Sequence, residues 1–110
     1  MMVQNWRDVV AESMGEGVAK RVLIGAKEGA ENFVLRHFTL ETGACSPHHE
    51  HDWEHEAYIL EGEGVLVGPD GNQPLKPGDA AFVPPGIKHQ FRNVGKGKMT
   101  FLCIVPMKGA

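Results

Sequence analysis

Turn-forming residues interrupt this sequence at nearly even intervals, so that every apolar run is short. Fourteen glycines and seven prolines separate the runs, and no long segment shows the periodicity of an amphipathic helix. Alternation of apolar and polar side chains predicts strands at residues 21–24, 33–41, 56–60, 64–67, 80–83, 89–94 and 100–105. Short strands at such spacing are typical of an antiparallel sandwich or barrel, so an all-β fold is predicted.

Three histidines stand close together directly before the predicted strand 56–60. His49, His51 and His55 are separated by even numbers of residues, so an extended chain turns their imidazoles toward one face. Imidazole is the commonest side-chain ligand of divalent transition metals, and three on one face form most of a coordination sphere. A solvated polar strand is the alternative, but the direct continuation into an apolar strand favours a metal site.

Length, charge and cysteine usage narrow the class of protein. A chain of 110 residues builds one domain. Its 11 basic and 14 acidic residues leave a net charge of −3 and form no blocks, which argues against nucleic-acid binding. No apolar run predicts a membrane span or a signal peptide. Cys45 and Cys103 lack CxxC spacing, so no disulfide framework is expected and a reducing, cytoplasmic setting is predicted.

Two segments carry a regular pattern of glycine, histidine, proline and asparagine. The first pattern is formed by Gly43, His49, His51 and Gly62, and the second by Gly78, Pro84, Gly86, His89 and Asn93. Together they resemble the two motifs of the cupin family, which are small double-sheet jelly rolls. The resemblance covers residues 43–93. It implies a double-stranded β-helix barrel over residues 20–110, preceded by an N-terminal segment at 1–19, and it makes His89 a fourth metal ligand.

One position departs from the family pattern. Where most cupins carry glutamate, this chain has His55, which keeps the family's distance to Gly62 and shares the parity of His49 and His51. The pattern also permits Glu56, but that side chain would point to the other face unless a bulge intervened. We therefore predict His55 as the ligand. The resulting set is similar to that of a minority of small bacterial cupins with four histidine ligands, manganese-binding members among them.

The replacement of glutamate by histidine changes the charge of the predicted site. Three imidazoles and a carboxylate would leave a divalent ion with a net charge near +1, whereas four neutral imidazoles leave +2. The more positive site is a stronger Lewis acid and is harder to oxidise. The resemblance implies manganese, while imidazole ligands also suit iron, zinc, nickel and copper.

An apolar pocket is predicted beside the metal. Phe91 shares the parity of His89, and the resemblance places Phe101 and Cys103 of the last strand inward. With Ile59 and Phe82 they would suit a small hydrophobic or aromatic molecule. The alternative is that all five are barrel core.

The other histidines are not predicted to bind the metal, and no general base is evident in the two motifs. His37 and His48 are not expected to be ligands, because one stands in a predicted strand and the other faces away from its neighbour His49. No side chain of the two motifs is an evident general base, so no catalytic residue beyond the ligands is predicted.

Three classes of function fit a metal-binding cupin. The first is an oxygenase or other oxidoreductase that acts on a small organic molecule. The second is a redox-neutral isomerase, cyclase or lyase that uses the same Lewis acid. The third is a binding module for a metal or small ligand that performs no chemistry. Fold and motif do not separate these classes.

A homodimer is also expected. A small jelly roll must cover its sheet edges, and Trp6, Val9 and Val10 form an apolar N-terminal stretch with no obvious place inside so short a barrel. Pairing through strands 21–24 and 33–41 is predicted, with segment 1–19 exchanged between subunits as one possibility. The alternative is a monomer in which this segment folds over its own sheet.

Overall fold

The computed structural model describes all 110 residues and consists of nine β-strands and three short 3₁₀ helices, with no α-helix. The strands are β1 (Glu12–Ser13), β2 (Val18–Ile24), β3 (Phe33–Leu40), β4 (His55–Glu61), β5 (Gly64–Gly68), β6 (Gly71–Leu75), β7 (Ala80–Val83), β8 (Gln90–Asn93) and β9 (Met99–Pro106). The 3₁₀ helices are Trp6–Asp8, Ala26–Glu28 and Met107–Gly109. None of them has the length and apolar character needed to cross a membrane.

The strands form two antiparallel sheets. The larger has the order β1-β2-β3-β9-β4-β7 and the smaller the order β6-β5-β8. Side chains from both sheets meet in one core of 13 buried apolar residues, with Phe101 from β9 and Phe91 from β8 stacked at 4.7 Å between ring centroids. The predicted all-β jelly roll is thereby confirmed.

Every predicted strand is present, and two further strands were missed. β1 has only two residues, too few to show an alternating pattern. β6 contains Pro74, and only Leu75 at its end is buried, so it lacks the apolar face that sequence patterns detect. It forms by pairing with β5 through the hairpin that closes at Gly71. The free thiols of Cys45 and Cys103 agree with the expected absence of a disulfide.

Strand β3 separates two environments. Val34, Phe38 and Leu40 are buried in the core, while His37 lies on the opposite face of the sheet. That face is covered by the N-terminal segment, because the Trp6 ring stacks on the His37 ring at 4.3 Å and 6°. His37 is therefore only 2% exposed although it lies on the outer side of the sheet, and it is remote from the other histidines, as predicted.

The N-terminal segment is held by more than this one stack. The Arg21 guanidinium lies 5.1 Å from the Trp6 ring, and its Nε donates to the Val9 carbonyl at 3.1 Å. Within the single chain the segment thus packs on its own sheet. β1 pairs with β2, which begins at Val18, so part of the predicted N-terminal segment belongs to the large sheet.

Two motif residues have structural roles in the fold. Gly62 has φ +88°, and a Cβ there would overlap the Lys98 backbone, so this turn requires glycine. The buried Asn93 amide donates to the carbonyls of Leu40, Glu41 and Gly97 at 2.8–3.1 Å. Asn93 thereby ties β8 to the end of β3.

Candidate metal centre

Three histidines that are close in sequence meet a fourth, His89, from a distant part of the chain. The backbones of His49 and His89 form an antiparallel bridge, with N–H···O distances of 3.2 and 3.0 Å. His55 is the first residue of β4, and His51 lies in the loop between His49 and β4. The His51 ring centroid is 5.1–5.2 Å from each of the other three centroids. The residues form one cluster, although the chain from 50 to 54 is not an extended strand.

Backbone carbonyls set the tautomers of two of the rings. His51 Nδ1 lies 2.9 Å from the Trp53 carbonyl oxygen, and His89 Nδ1 lies 2.8 Å from that of Ile87. Because a carbonyl can only accept, each Nδ1 carries the proton, and each Nε2 presents a lone pair. This second hydrogen bond is what metal-bound histidines ordinarily make.

His55 joins the cluster through His89 and is held from behind by a thiol. The Nε2 atoms of His55 and His89 are 2.8 Å apart, and His55 Nδ1 lies 3.0 Å from Cys103 Sγ. A thiol can donate or accept a hydrogen bond, so Cys103 Sγ can accept one from Nδ1–H of His55, which leaves the His55 Nε2 lone pair free. His55 is 6% exposed.

The spacing of the nitrogens fits a divalent transition metal. The ligand atoms of His49, His51 and His89 lie within 4.8 Å of one another, and these three histidines could hold an ion. Two imidazole nitrogens at right angles around one ion, each at about 2.0–2.1 Å, stand roughly 3 Å apart. The separation of 2.8 Å between His55 and His89 is close to that value.

The structure places Glu56 outside this cluster. His55, Ala57 and Ile59 are buried, whereas Glu56, Tyr58 and Leu60 are exposed. A strand that buries His55 must turn the next side chain to the other face of the sheet.

Burial and mutual repulsion favour the neutral form of three imidazoles, those of His49, His55 and His89. Burial, with the charges that His89 and His51 would carry when protonated, lowers the pKa of His55 to about 3. Burial likewise lowers the pKa of His89 and, together with His89, that of His49. Neutral imidazole is the form that binds a metal.

A cavity of about 240 Å³ opens beside the histidines. The predicted residues Phe91, Phe101 and Cys103 line it. Phe82 and Ile59, which were also predicted for the pocket, do not line this cavity. Phe82 pairs with Glu56 and is 55% exposed on the outer face of the large sheet, and Ile59 is fully buried in the core, away from the cavity.

Sequence reasoning missed several residues of the cavity wall. The most important are Arg36 and Lys20, together with Trp53, whose ring stacks on His51 at 4.4 Å. One signal for Arg36 was present, since it shares the parity of Val34 and Phe38 and thus stands on the inward side of β3. For Trp53 no strand pattern existed, because it lies in a loop.

Comparison with known proteins agrees with the fold. A family model for the cupin domain matches residues 36–105, and the chain belongs to the cupin family. It is 31% identical over 94 residues to an oxalate-binding protein of Thermotoga maritima, covering 83% of this chain and 78% of that protein.

Two solved cupin structures extend the comparison. The polyketide cyclase RemF from Streptomyces resistomycificus is 35% identical, with a TM-score of 0.88 over 97% of this chain and 80% of that chain. A sugar phosphate isomerase of the cupin superfamily from Silicibacter pomeroyi is 25% identical, with a TM-score of 0.82 over 96% and 75% of the two chains.

We predict that replacing any one of the four clustered histidines by alanine lowers metal affinity by more than about tenfold, because each removes one ligand. Elemental analysis of tag-free protein after dialysis against a fixed free-metal concentration measures this. His48→Ala, at the exposed neighbour of His49, is the matched control and should retain the metal. Loss of metal in Glu56→Ala but not in His55→Ala would contradict the four-histidine set.

The metal-free protein should lose stability as the pH falls from about 7 to 5. The pKa of His55 is about 3 in the folded chain, against an ordinary value of 6.5, so the unfolded chain binds more protons between these values. Its contribution is fully present above pH 6.5 and declines below it, by up to about 1.4 kcal/mol per pH unit. Thermal unfolding at several pH values checks this, with His55→Asn as the variant whose slope should be shallower. A melting temperature that is constant or rises toward pH 5 would refute the prediction.

Proposed function

We propose that this cupin is a metal-dependent enzyme that binds a divalent transition metal through His49, His51, His55 and His89 and catalyses a redox-neutral reaction of a small organic molecule, as an isomerase, cyclase or lyase does. The observation that carries the proposal is the donor set, four imidazoles with no carboxylate among them or among the cavity side chains. When bound, the ion supplies Lewis-acid polarisation of a substrate oxygen.

The charge of the donor set favours this class over an oxidoreductase. Neutral ligands leave the full +2 charge on the centre, which strengthens polarisation and disfavours a change to the 3+ state. The oxidoreductase predicted from the sequence would need that change or an equivalent electron acceptor. Similarity to a cyclase at 35% identity and to an isomerase at 25% points in the same direction.

The protein's own residues orient the ligands and exclude water. Carbonyls of residues 53 and 87 and the Cys103 thiol hold the outer nitrogens of three rings. The Trp53 ring covers His51 on one side. Phe91 stacks on Phe101 at the base of the cavity and places apolar surface next to the histidines, where a low dielectric strengthens electrostatic interactions.

A non-catalytic binding module is the second candidate. It is favoured by the similarity to the Thermotoga maritima protein, which is named for oxalate binding. In this case the same cavity would hold an anion without converting it.

The redox-neutral proposal is tested by turnover with and without dioxygen. Metal-loaded protein is incubated with hydroxy, keto and polyketide-like acids, in air and under nitrogen, and products are identified by mass spectrometry. We expect equal turnover in both atmospheres and products that are isomers of the substrate or have lost water or carbon dioxide. His51→Ala should be inactive and His48→Ala active.

Turnover that requires dioxygen, or a product that has gained oxygen, would refute the redox-neutral reaction and support an oxidoreductase instead. Saturable binding of an acid without any turnover would support the binding module.

The identity of the metal is a further part of the proposal. Manganese follows from resemblance to other four-histidine cupins, whereas the imidazole donors suit zinc, copper, iron and nickel equally well. Elemental analysis of protein purified without an affinity tag decides between them.

We further propose that the chain forms a homodimer through the outer face of the large sheet. There Tyr58, Phe82 and Ile104 are 41–55% exposed on adjacent strands around the exposed Glu56, and a largely apolar face of this kind is typical of a subunit interface. A two-fold contact is the commonest way to cover it.

Light scattering at low micromolar concentration tests the dimer. The expected mass is twice 12.0 kDa, and Ile104→Glu should reduce it to that of one chain by burying a charge in the interface. Val94→Glu, at an exposed apolar residue after β8, is the matched control and should leave the dimer intact. A wild-type mass near 12.0 kDa would exclude the homodimer. If the N-terminal segments are exchanged between subunits, removal of residues 1–10 should weaken the dimer.

A further inference from the structure

Arg36 is a charged side chain on the otherwise apolar inward side of β3. Its Nη2 donates to Cys103 Sγ at 3.0 Å, and Nε is buried without any hydrogen-bond partner. No carboxylate of the chain lies within 4.0 Å of the guanidinium. Arg36 is half-buried, and a guanidinium that is partly withdrawn from water without a charged partner is stabilised when an anion pairs with it.

The thiol beside Arg36 does not provide that anion. Cys103 is a free thiol with only 1% of its surface exposed, and a thiol sulfur carries no formal charge. A neutral sulfur is only a weak acceptor. The charge of Arg36 is therefore not balanced by its one partner.

A second cation reaches the same cavity. Lys20 lines it, with a side chain only 12% exposed, and its nearest carboxylate is that of Glu12 at 3.8 Å. The Glu12 side chain is 60% exposed, and ion pairs with so exposed a partner contribute little. With a divalent ion on the histidines, the cavity would carry several positive charges and no acidic side chain.

Cys103 also connects Arg36 to the histidines. Its sulfur lies 3.0 Å from Arg36 Nη2 and 3.0 Å from His55 Nδ1, so one small molecule can reach both groups. Next to them stands a series of aromatic rings. Arg36 lies 5.1 Å from the Phe38 ring, Phe38 stacks on Phe101 at 5.2 Å, and Phe101 stacks on Phe91 at 4.7 Å.

We propose that Arg36, assisted by Lys20, binds the carboxylate of a small organic acid whose apolar body lies against these rings and whose other oxygen faces the histidine centre. This inference rests on the proposed function, since it names the class of substrate on which that centre acts. Charge-assisted hydrogen bonds from a guanidinium to a carboxylate are short and strong, and they distinguish an acid from its neutral analogue.

The test uses benzoate as the probe and benzyl alcohol as its neutral match. Binding to the full chain is measured by titration calorimetry at neutral pH, with metal-free and with metal-loaded protein. We expect benzoate to bind the metal-free protein more tightly than benzyl alcohol. Arg36→Gln should weaken benzoate binding by about tenfold to a hundredfold and leave benzyl alcohol unchanged.

Further variants separate recognition of the acid from support of the fold. Arg36→Lys keeps the charge and should restore part of the affinity, and Lys20→Gln should weaken benzoate binding to a smaller extent. Arg92→Gln removes an exposed guanidinium on β8 and is the matched control without effect. Equal loss of both probes in Arg36→Gln, or equal affinity for both probes in the wild type, would overturn the proposal. Should Arg36→Gln not fold, Arg36→Lys and Lys20→Gln carry the same comparison.

The two proposals fail in different ways. Metal content of Arg36→Gln should equal that of the wild type, because Arg36 holds no ligand atom of the cluster. A wild-type chain that binds metal normally but binds benzoate no more tightly than benzyl alcohol would refute only the carboxylate site. Acid selectivity in a chain that binds no metal would confirm the carboxylate site and refute the metal-dependent enzyme.

Discussion

The pairing of residues 44–49 with the strand that ends at Asn93 is the contact on which the site depends. Ser46 and Phe91 exchange hydrogen bonds at 2.8 Å, and His49 and His89 form the bridge at the end of this pairing. The chain then leaves the small sheet and enters the large sheet at His55. The four imidazoles meet because one short segment crosses between the sheets at this point, and the cavity lies where the sheets diverge.

In this arrangement the metal ligands are uncharged imidazoles, and the charged side chains next to them are positive. Burial and mutual repulsion lower the pKa of His49, His55 and His89, and neutral imidazole suits a metal but adds no negative charge to it. The neighbouring wall contributes a guanidinium and an ammonium and no acidic side chain. A centre of this kind polarises an electron-rich ligand more readily than it gives up an electron, and the same electrostatic property argues for an anionic substrate.

Cys103 has a role that its residue type alone does not suggest. It is 1% exposed and its pKa is raised, so it is not an activated nucleophile. Its sulfur instead contacts both His55 and Arg36, where an aliphatic residue of similar size would leave both nitrogens without a partner. It therefore links the proposed substrate-binding cation to the ligand that replaces the usual glutamate.

The sequence by itself determined the all-β class, the two cupin motifs, the four histidines and the choice of His55 over Glu56 as the inward side chain. The all-β class and the choice of His55 follow from local periodicity, because alternation along a strand assigns each side chain to a face before its neighbours are known. The cupin motifs and the inclusion of His89 follow from the resemblance to that family. Only the tertiary structure decided which residues share a space. It covered His37 with Trp6, turned Phe82 to the outer surface, and brought Arg36 and Lys20 to the cavity, since these outcomes depend on strand order and on contacts between residues distant in the chain. β6 likewise forms because it pairs with β5, and the pattern of its own five residues does not indicate a strand.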